Sequence, residues 1–142
     1  MATVELRFSA LPEHVRTARL VAAAVARRAG VEESVLDEVR LAVGEACSRA
    51  VGLHRRSGVV DPVRVTLVEQ EKRFFIEVGD GIDSESAPPA TPGATAGGAE
   101  PGEDAMGLAV ISGLVDDLEV GSDDLGGVVR MSWPVAVHKV AV

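Results

Sequence analysis

Two carboxylates and an arginine between residues 38 and 49 have a spacing that could support chemistry. Glu38, Glu45 and Arg49 are separated by seven and four residues, so they share one flank of a helix at the edge of its apolar stripe. A carboxylate held at the border of a core is a candidate general base or metal contact. The spacing equally fits an ordinary ion pair between Glu45 and Arg49, worth about 0.2–0.5 kcal/mol. Spacing alone favours that structural interpretation.

Two glycine-containing stretches are the other candidates. In VGDGID, residues 78–83, Asp80 follows a strand and could direct its carboxylate at a ligand that approaches the backbone of Gly81. In AMGLAVI, residues 105–111, Gly107 precedes a helix, and the unpaired first amides of a helix suit an anion. An ordinary turn and a tightly packed helix start are the structural alternatives.

Hydrophobic periodicity predicts the elements that must position these residues. Alternating polar and apolar residues indicate strands, and apolar residues at helical spacing indicate helices. Pro12 and Gly30 mark the beginning and the end of the first helix. The predicted order is a strand at 3–9, helices at 12–29 and 33–54, strands at 63–69 and 73–78, a helix at 106–115, and strands at 118–120 and 128–135. Asp123-Asp124 and Gly126-Gly127 are placed in the last turn. This order predicts an α+β two-layer sandwich, with helices on one face of a mixed, mainly antiparallel sheet.

Residues 83–104 differ in composition from the rest of the chain. The stretch SESAPPATPGATAGGAEPGED holds almost nothing that could enter a core. Long segments of this kind are functional lids or disordered. The 142 residues therefore predict one domain over 1–137 with a flexible, lid-like loop at 83–104, followed by a tail at 138–142.

Bulk properties exclude several classes of function. The net charge of −8, without a dense Lys/Arg cluster, argues against direct nucleic-acid binding. The single cysteine fits a reducing compartment, and neither a signal peptide nor an apolar run of roughly 20 residues is present, which predicts a cytoplasmic protein without membrane attachment. His14, His54 and His138 lack metal-ligand spacing, so no metal site is predicted.

The order of the motifs carries more information than any one of them. A helix with LAVGEACSRAV, a strand entering VGDG, a lid-like loop, a helix opening MGLAVISGLVDDLEV and a closing GGVVRMSW follow one another. From Val4 to Trp133 the chain resembles the bacterial anti-sigma factor and serine-protein kinase family, a branch of the Bergerat-fold (GHKL) ATPases. The resemblance implies the same histidine-kinase/Hsp90-like fold for the predicted sandwich.

The resemblance implies roles for three residues. Glu45 occupies the position of the general base, and Asp80 that of the carboxylate that accepts from the adenine amino group. Arg49 stands where the family has the asparagine that holds Mg²⁺, although a guanidinium offers only donors. An arginine there is also expected to pair with Glu45 and to lower its tendency to accept a proton.

The glycines of the nucleotide motifs are partly replaced. Ile82 and Ser84 fall where two glycines belong, unless a shifted loop lets Gly81 substitute for one of them. Ala105 replaces the first glycine at the end of the lid, while Gly107 matches the second. The resulting cofactor-binding set is Arg49, Asp80, Gly81, Gly107 and Leu108. These replacements imply weak binding of ATP or ADP and disfavour Mg²⁺, although an arginine could bind phosphate directly.

Partners also follow from the resemblance. In the family, the first helix contributes to the surface that binds the sigma factor, and Arg19 matches a sigma-contacting arginine of that helix. Arg16 and Arg27 lie on the same broad face as Arg19. The alternative is that this face is merely solvated. The implied function is an anti-sigma factor, usually a homodimer, that sequesters an alternative sigma factor and is released by a STAS-type antagonist.

Two other functions remain open at this point. One is an active ATP-dependent serine kinase that phosphorylates the antagonist; Arg49, Ile82 and Ala105 argue against it. The other is a phosphorelay partner module, but no phosphoacceptor-histidine helix fits before Val4.

Overall fold

The computed structural model describes residues 2–80, 110–115, 117–123 and 126–135. The elements in chain order are β1 (Ala2–Phe8), α1 (Glu13–Ala29), a 3-10 turn (Glu33–Val35), α2 (Leu36–Ser57), β2 (Val63–Glu69), β3 (Arg73–Gly79), β4 (Asp117–Asp123) and β5 (Gly126–Pro134). Residues 110–114 are also helical. The predicted lid-like loop at 83–104 and the tail at 138–142 lie outside the described residues.

Both long helices end at glycines with left-handed backbone, which the sequence predicts correctly for α1. Pro12 is the N-cap of α1, and Gly30 follows its last residue. The φ of Gly30 is 103°, a backbone conformation that is unfavourable for residues with a Cβ. α2 continues through Gly52 to Ser57 and ends at Gly58 (φ 66°), three residues later than predicted. Because Val51 and Leu53 are buried, tertiary packing outweighs the low helix propensity of Gly52.

The five strands form one sheet in the order β1-β2-β3-β5-β4. Every pairing among the described strands is antiparallel, so the parallel component of the predicted mixed sheet is not found in them. β5 begins earlier than predicted: Gly126 pairs with Asp123 and Gly127 with Ser122. The prediction that the two glycines lie in the turn is therefore wrong, and the reason is a contact that Gly127 makes from within the strand.

α1 and α2 cover one face of this sheet, which confirms the two-layer α+β arrangement. Small side chains on the helices, among them Ala22, Ala42 and Ala46, allow close packing on the larger ones of the strands. The largest buried strand residues are Phe74, Ile76, Leu67, Met131 and Trp133. No helix in the described part of the chain is long and apolar enough to cross a bilayer.

Cys47 lies in this core as a free, fully buried thiol. Burial raises the pKa of the Cys47 thiol from 9.0 to about 12, because the thiolate would lose its hydration. The folded state therefore keeps the proton at pH values where the unfolded chain has lost it. The free energy of unfolding is intact below about pH 9 and falls as the pH rises towards 12.

This thiol should dominate the alkaline stability, since the chain has no tyrosine and its only lysines are Lys72 and Lys139. We expect urea unfolding to show a loss on the order of 1 kcal/mol per pH unit between pH 9 and pH 11. The Cys47→Ala variant should show a flatter profile. A wild-type stability that stays constant from pH 8 to pH 11 would contradict the assignment.

Candidate functional site

Asp80 directly follows the last residue of β3 and is only 4% exposed. Its carboxylate Oδ1 accepts a hydrogen bond from the Gly127 amide at 3.1 Å. Its own amide donates to the Gly127 carbonyl at 3.0 Å. One backbone and one side-chain hydrogen bond thus hold the Asp80 carboxylate against the beginning of β5.

Gly127 is required at this position because the Asp80 carboxylate occupies the space of a side chain. A Cβ on Gly127 would lie 2.8 Å from Oδ2 and 2.9 Å from Oδ1 of Asp80. This role of Gly127 was not predicted, since adjacent glycines favour a turn. The only available signal was the position of the pair at the start of a strong strand pattern.

Substitution of Gly127 should therefore destabilise the protein. We expect Gly127→Ala to lower the free energy of unfolding by about 1–3 kcal/mol, the usual cost of overpacking. The matched control is Gly121→Ala in neighbouring β4, where an added Cβ meets nothing within 4 Å. Chemical denaturation should separate the two variants, and equal stabilities would show that the carboxylate can move without cost.

Arg49 extends from α2 towards this carboxylate. Its Nη1 lies 3.8 Å from Oδ2 of Asp80, and the two side chains are only 18% and 6% exposed. That distance makes an ion pair and not a hydrogen bond. The Nε of Arg49 is buried without a hydrogen-bond partner in the described part of the chain. Arg49 is therefore held mainly by charge.

The predicted ion pair between Arg49 and Glu45 is wrong. Arg49 pairs with Asp80, whereas Glu45 and Glu38 are exposed to solvent on α2. The attraction of opposite charges is stronger at the buried carboxylate, where the effective dielectric constant is lower than in water. The expectation that Arg49 lowers the tendency of Glu45 to accept a proton is therefore not supported by a contact between them.

Gly81, Ile82, Ser84, Ala105, Gly107 and Leu108 all lie outside the described residues. Of the predicted cofactor-binding set, the structure brings together Arg49 and Asp80.

The three arginines predicted to bind a partner are exposed on α1. Spacings of three and eight residues place Arg16, Arg19 and Arg27 on one flank of α1. Arg27 makes two hydrogen bonds to Glu33, at 2.8 and 3.2 Å. Its charge is therefore largely compensated, which leaves Arg16 and Arg19 as the stronger candidates.

Arg19 is positioned by a glycine of the neighbouring helix. A Cβ on Gly44 of α2 would lie 2.8 Å from the Cδ of Arg19, so the aliphatic stem of the arginine rests in the groove that Gly44 leaves. Leu20, which follows Arg19 in α1, and Leu41, three residues before Gly44 in α2, are 57% and 54% exposed. Apolar side chains beside a basic one are typical of a protein-binding surface. This role of Gly44 was not predicted from the sequence, because a glycine inside a helix pattern gives no local signal of an interhelical contact.

Comparison with known proteins now identifies the family. A model described as the histidine kinase-like ATPase domain matches residues 8–133. The chain belongs to this family. The match spans both the Arg49–Asp80 pair and the basic flank of α1, and it confirms the fold class predicted from the motifs.

Three curated relatives bear the name serine-protein kinase RsbW. The protein of Bacillus pumilus is 30% identical over 126 residues, covering 82% of this chain and 76% of that one. The proteins of Bacillus velezensis and Bacillus subtilis are 29% and 28% identical, covering 84% and 82% of this chain and 78% and 76% of theirs. The anti-sigma factor and serine kinase family is thereby supported.

A solved structure shares the fold. It contains the RsbU and RsbW domains of a Mycobacterium tuberculosis protein and superposes with a TM-score of 0.66 at 14% identity. The likeness covers 95% of this chain and 33% of that one, so the chain spans a third of the longer protein.

A histidine kinase-like ATPase domain implies a nucleotide, and the described residues can be tested for that ligand. Mg²⁺ requires oxygen ligands, whereas Arg49 supplies a cation with donors only. The Asp80 carboxylate already accepts from Gly127 and faces Arg49, so an adenine amino group would have to displace or share these contacts. The described residues therefore do not fit Mg²⁺, and an adenine amino group would share the Asp80 carboxylate with Gly127 and Arg49 or replace one of them.

Proposed function

We propose that the protein is an anti-sigma factor with weak or absent kinase activity. It acts in the cytoplasm, sequesters an alternative RNA polymerase sigma factor and is released by a STAS-type antagonist. The observation that carries this proposal is the ion pair of Arg49 with Asp80. In this pair the protein's own cation faces the carboxylate that an adenine would use, and we therefore expect sigma binding that does not require nucleotide.

The basic flank of α1 supports the binding role. Arg16 and Arg19 are exposed, and the side chain of Arg19 lies over Gly44, with Cγ, Cδ and Nη1 all within 4 Å of the position of an added Cβ. A sigma factor that presents acidic and apolar residues together would complement this arginine and its neighbours Leu20 and Leu41.

An active serine kinase is the second candidate function. The name of the three curated relatives favours it, and Glu45 lies exposed on α2, accessible to a substrate hydroxyl. The replacement of the asparagine position by Arg49 weighs against it, because the residue removes a metal ligand and introduces a positive charge.

The test is affinity capture of the tagged protein from its own host extract, with and without ATP, read by mass spectrometry. We expect a sigma factor and a STAS-domain protein at similar levels in both conditions. Recovery that requires ATP would favour the kinase. Absence of both partners, from a preparation whose folding is confirmed by circular dichroism, would overturn the proposal.

A further inference from the structure

β4 lies at one end of the strand order, and its outer side is open in the described part of the chain. All seven of its residues, Asp117 to Asp123, pair with β5 in continuous register on the inner side. Every second residue of such a strand directs its amide and carbonyl away from the sheet. Edge strands are commonly protected by a lysine, a proline or a bulge. β4 has none of these, so a further strand can pair with it.

Asp117, at the beginning of β4, carries a negative charge that its neighbour in the sheet does not compensate. It lies opposite Ser132 of β5, whose hydroxyl accepts hydrogen bonds from Nη2 and Nε of Arg73 at 2.9 and 3.3 Å. Arg73 belongs to β3, on the other side of β5 from Asp117. Asp117 is exposed and makes no ion pair with any residue that the structure describes.

Glu119 has a cation opposite it in the sheet, but that cation is turned the other way. The guanidinium carbon of Arg130 lies 4.2 Å from the centre of the Phe75 ring, and its Nε lies 3.9 Å from the Glu77 carboxylate. Both of these residues belong to β3. Glu119 is exposed and, within the described ranges, forms no ion pair. Across the sheet, Glu77, Arg130 and Glu119 alternate in charge, and a cation beyond Glu119 would continue the alternation.

The other face of β4 is apolar. Leu118 and Val120 lie opposite Met131 and Val129, which are both buried. Leu118 packs against the core, whereas Val120 is 54% exposed, since the layer of helices does not cover it. Apolar side chains on a neighbouring strand would remove this surface from water. The edge therefore presents acids on one face and incompletely covered apolar residues on the other.

A second copy of β4 does not suit this edge. Two such strands would bring Asp117 and Glu119 of one chain towards the same carboxylates of the other, and like charges opposite each other are destabilising. The net charge of −8 adds a longer-range repulsion between copies. The complementary partner is therefore a different chain with a basic segment.

We propose that β4 binds an extended segment of another protein, in which basic residues alternate with apolar ones, as a sixth strand of the sheet. Two Lys or Arg side chains, two positions apart, face Asp117 and Glu119, and the alternate apolar side chains face Leu118 and Val120. Backbone hydrogen bonds hold the segment, and the charges select it. This surface goes beyond the proposed function, because it includes neither Arg19 nor Arg49, and its failure leaves the sigma-binding test unaffected.

Charge reversal at the edge tests the selection. The probe is a labelled peptide, GTVKVRVTG, capped at both ends and followed by fluorescence anisotropy at about 0.15 M salt. Binding to the wild type should saturate with a Kd below about 1 mM. Asp117→Lys/Glu119→Lys should bind it about tenfold more weakly and should instead bind the acidic peptide GTVEVEVTG.

Glu13→Lys/Glu32→Lys is the matched control, because both residues are exposed in the helical layer and the change in net charge is the same. This control should bind the basic peptide as the wild type does. Circular dichroism checks that both double variants are folded. Absence of saturation with the wild type, or an equal loss of affinity in the two double variants, would overturn the proposal.

N-methylation of the peptide tests strand pairing with the wild-type protein alone. A methyl group on every second amide blocks one edge of the peptide strand, and methylation of the remaining amides blocks the other edge. Because only one edge of the peptide can pair with β4, one of the two methylated peptides should bind and the other should not. Equal affinity of both would show that the peptide is held by charge without joining the sheet, which contradicts the proposal.

Discussion

Replacing Arg49 with asparagine is expected to make the protein less stable alone and newly responsive to ATP with Mg²⁺. Removal of the guanidinium takes away a cation that lies 3.8 Å from the Asp80 carboxylate, whose side chain is 6% exposed. Because this pair is not hydrogen-bonded, we expect a loss of roughly 1–2 kcal/mol, below the cost of breaking a well-formed buried ion pair. The same change supplies an amide oxygen where Mg²⁺ needs a ligand and removes a charge that faces the Asp80 carboxylate.

Thermal unfolding with ATP, with Mg²⁺ and with both together measures this gain. At a ligand concentration of about 100 Kd the asparagine variant should be stabilised by roughly 2.7 kcal/mol, and the wild type much less. Arg49→Leu is the matched control, because it removes the charge without adding an oxygen; it should be destabilised and stay unresponsive. A wild-type shift as large as that of Arg49→Asn would show that the arginine does not block the site.

Reversing the charge of Arg19 is expected to abolish most of the affinity for the sigma factor captured from host extract. Loss of a hot-spot arginine costs about 2 kcal/mol or more, so with Arg19 in that role Arg19→Glu should weaken binding roughly thirtyfold. The domain should stay folded, since Arg19 is exposed. Arg28→Glu is the control: Arg28 lies on the other flank of α1, pairs with Glu69 and is 63% exposed. Equal affinity of both variants would remove Arg19 from the interface.

A companion variant separates position from charge at the same surface. Gly44→Ala should raise the free energy of unfolding by up to about 1 kcal/mol, because alanine is the better helix former. Its Cβ would lie 2.8 Å from the Cδ of Arg19, so the flexible arginine must move away. Higher stability together with weaker sigma binding is the expected combination; unchanged binding would mean that the groove does not orient the arginine.

Periodicity was sufficient to predict most of the fold. Alternation located β2 and β3 almost to the residue, and helix-breaking residues located both ends of α1, because these signals are local. The end of α2 was missed since it depends on burial. The Nδ1 of His54 lies 2.9 Å from the Asp61 carbonyl, and this contact stabilises the last turn of α2, where local propensity predicts that the helix has already ended.

The candidate site was predicted only in part, because its contacts join residues distant in the chain. The motif order located Arg49 and Asp80, but helical spacing pointed to Glu45 as the partner of Arg49. Only the tertiary structure brings α2 to the end of β3. Similarly, the contact of Gly127 with Asp80 spans 47 residues, and no local pattern distinguishes a glycine that accommodates a carboxylate from one that makes a turn.

Trp133 makes the chain its own spectroscopic reporter. It is the single tryptophan, and no tyrosine competes with it for excitation. Its indole is 1% exposed, and the Nε1 donates to the Leu114 carbonyl at 3.3 Å, at the seam between β5 and the helical residues 110–114. Intrinsic fluorescence therefore reads a single location. A red shift of the emission means that water has entered this seam, and the signal can be followed in unlabelled protein during each of the titrations above.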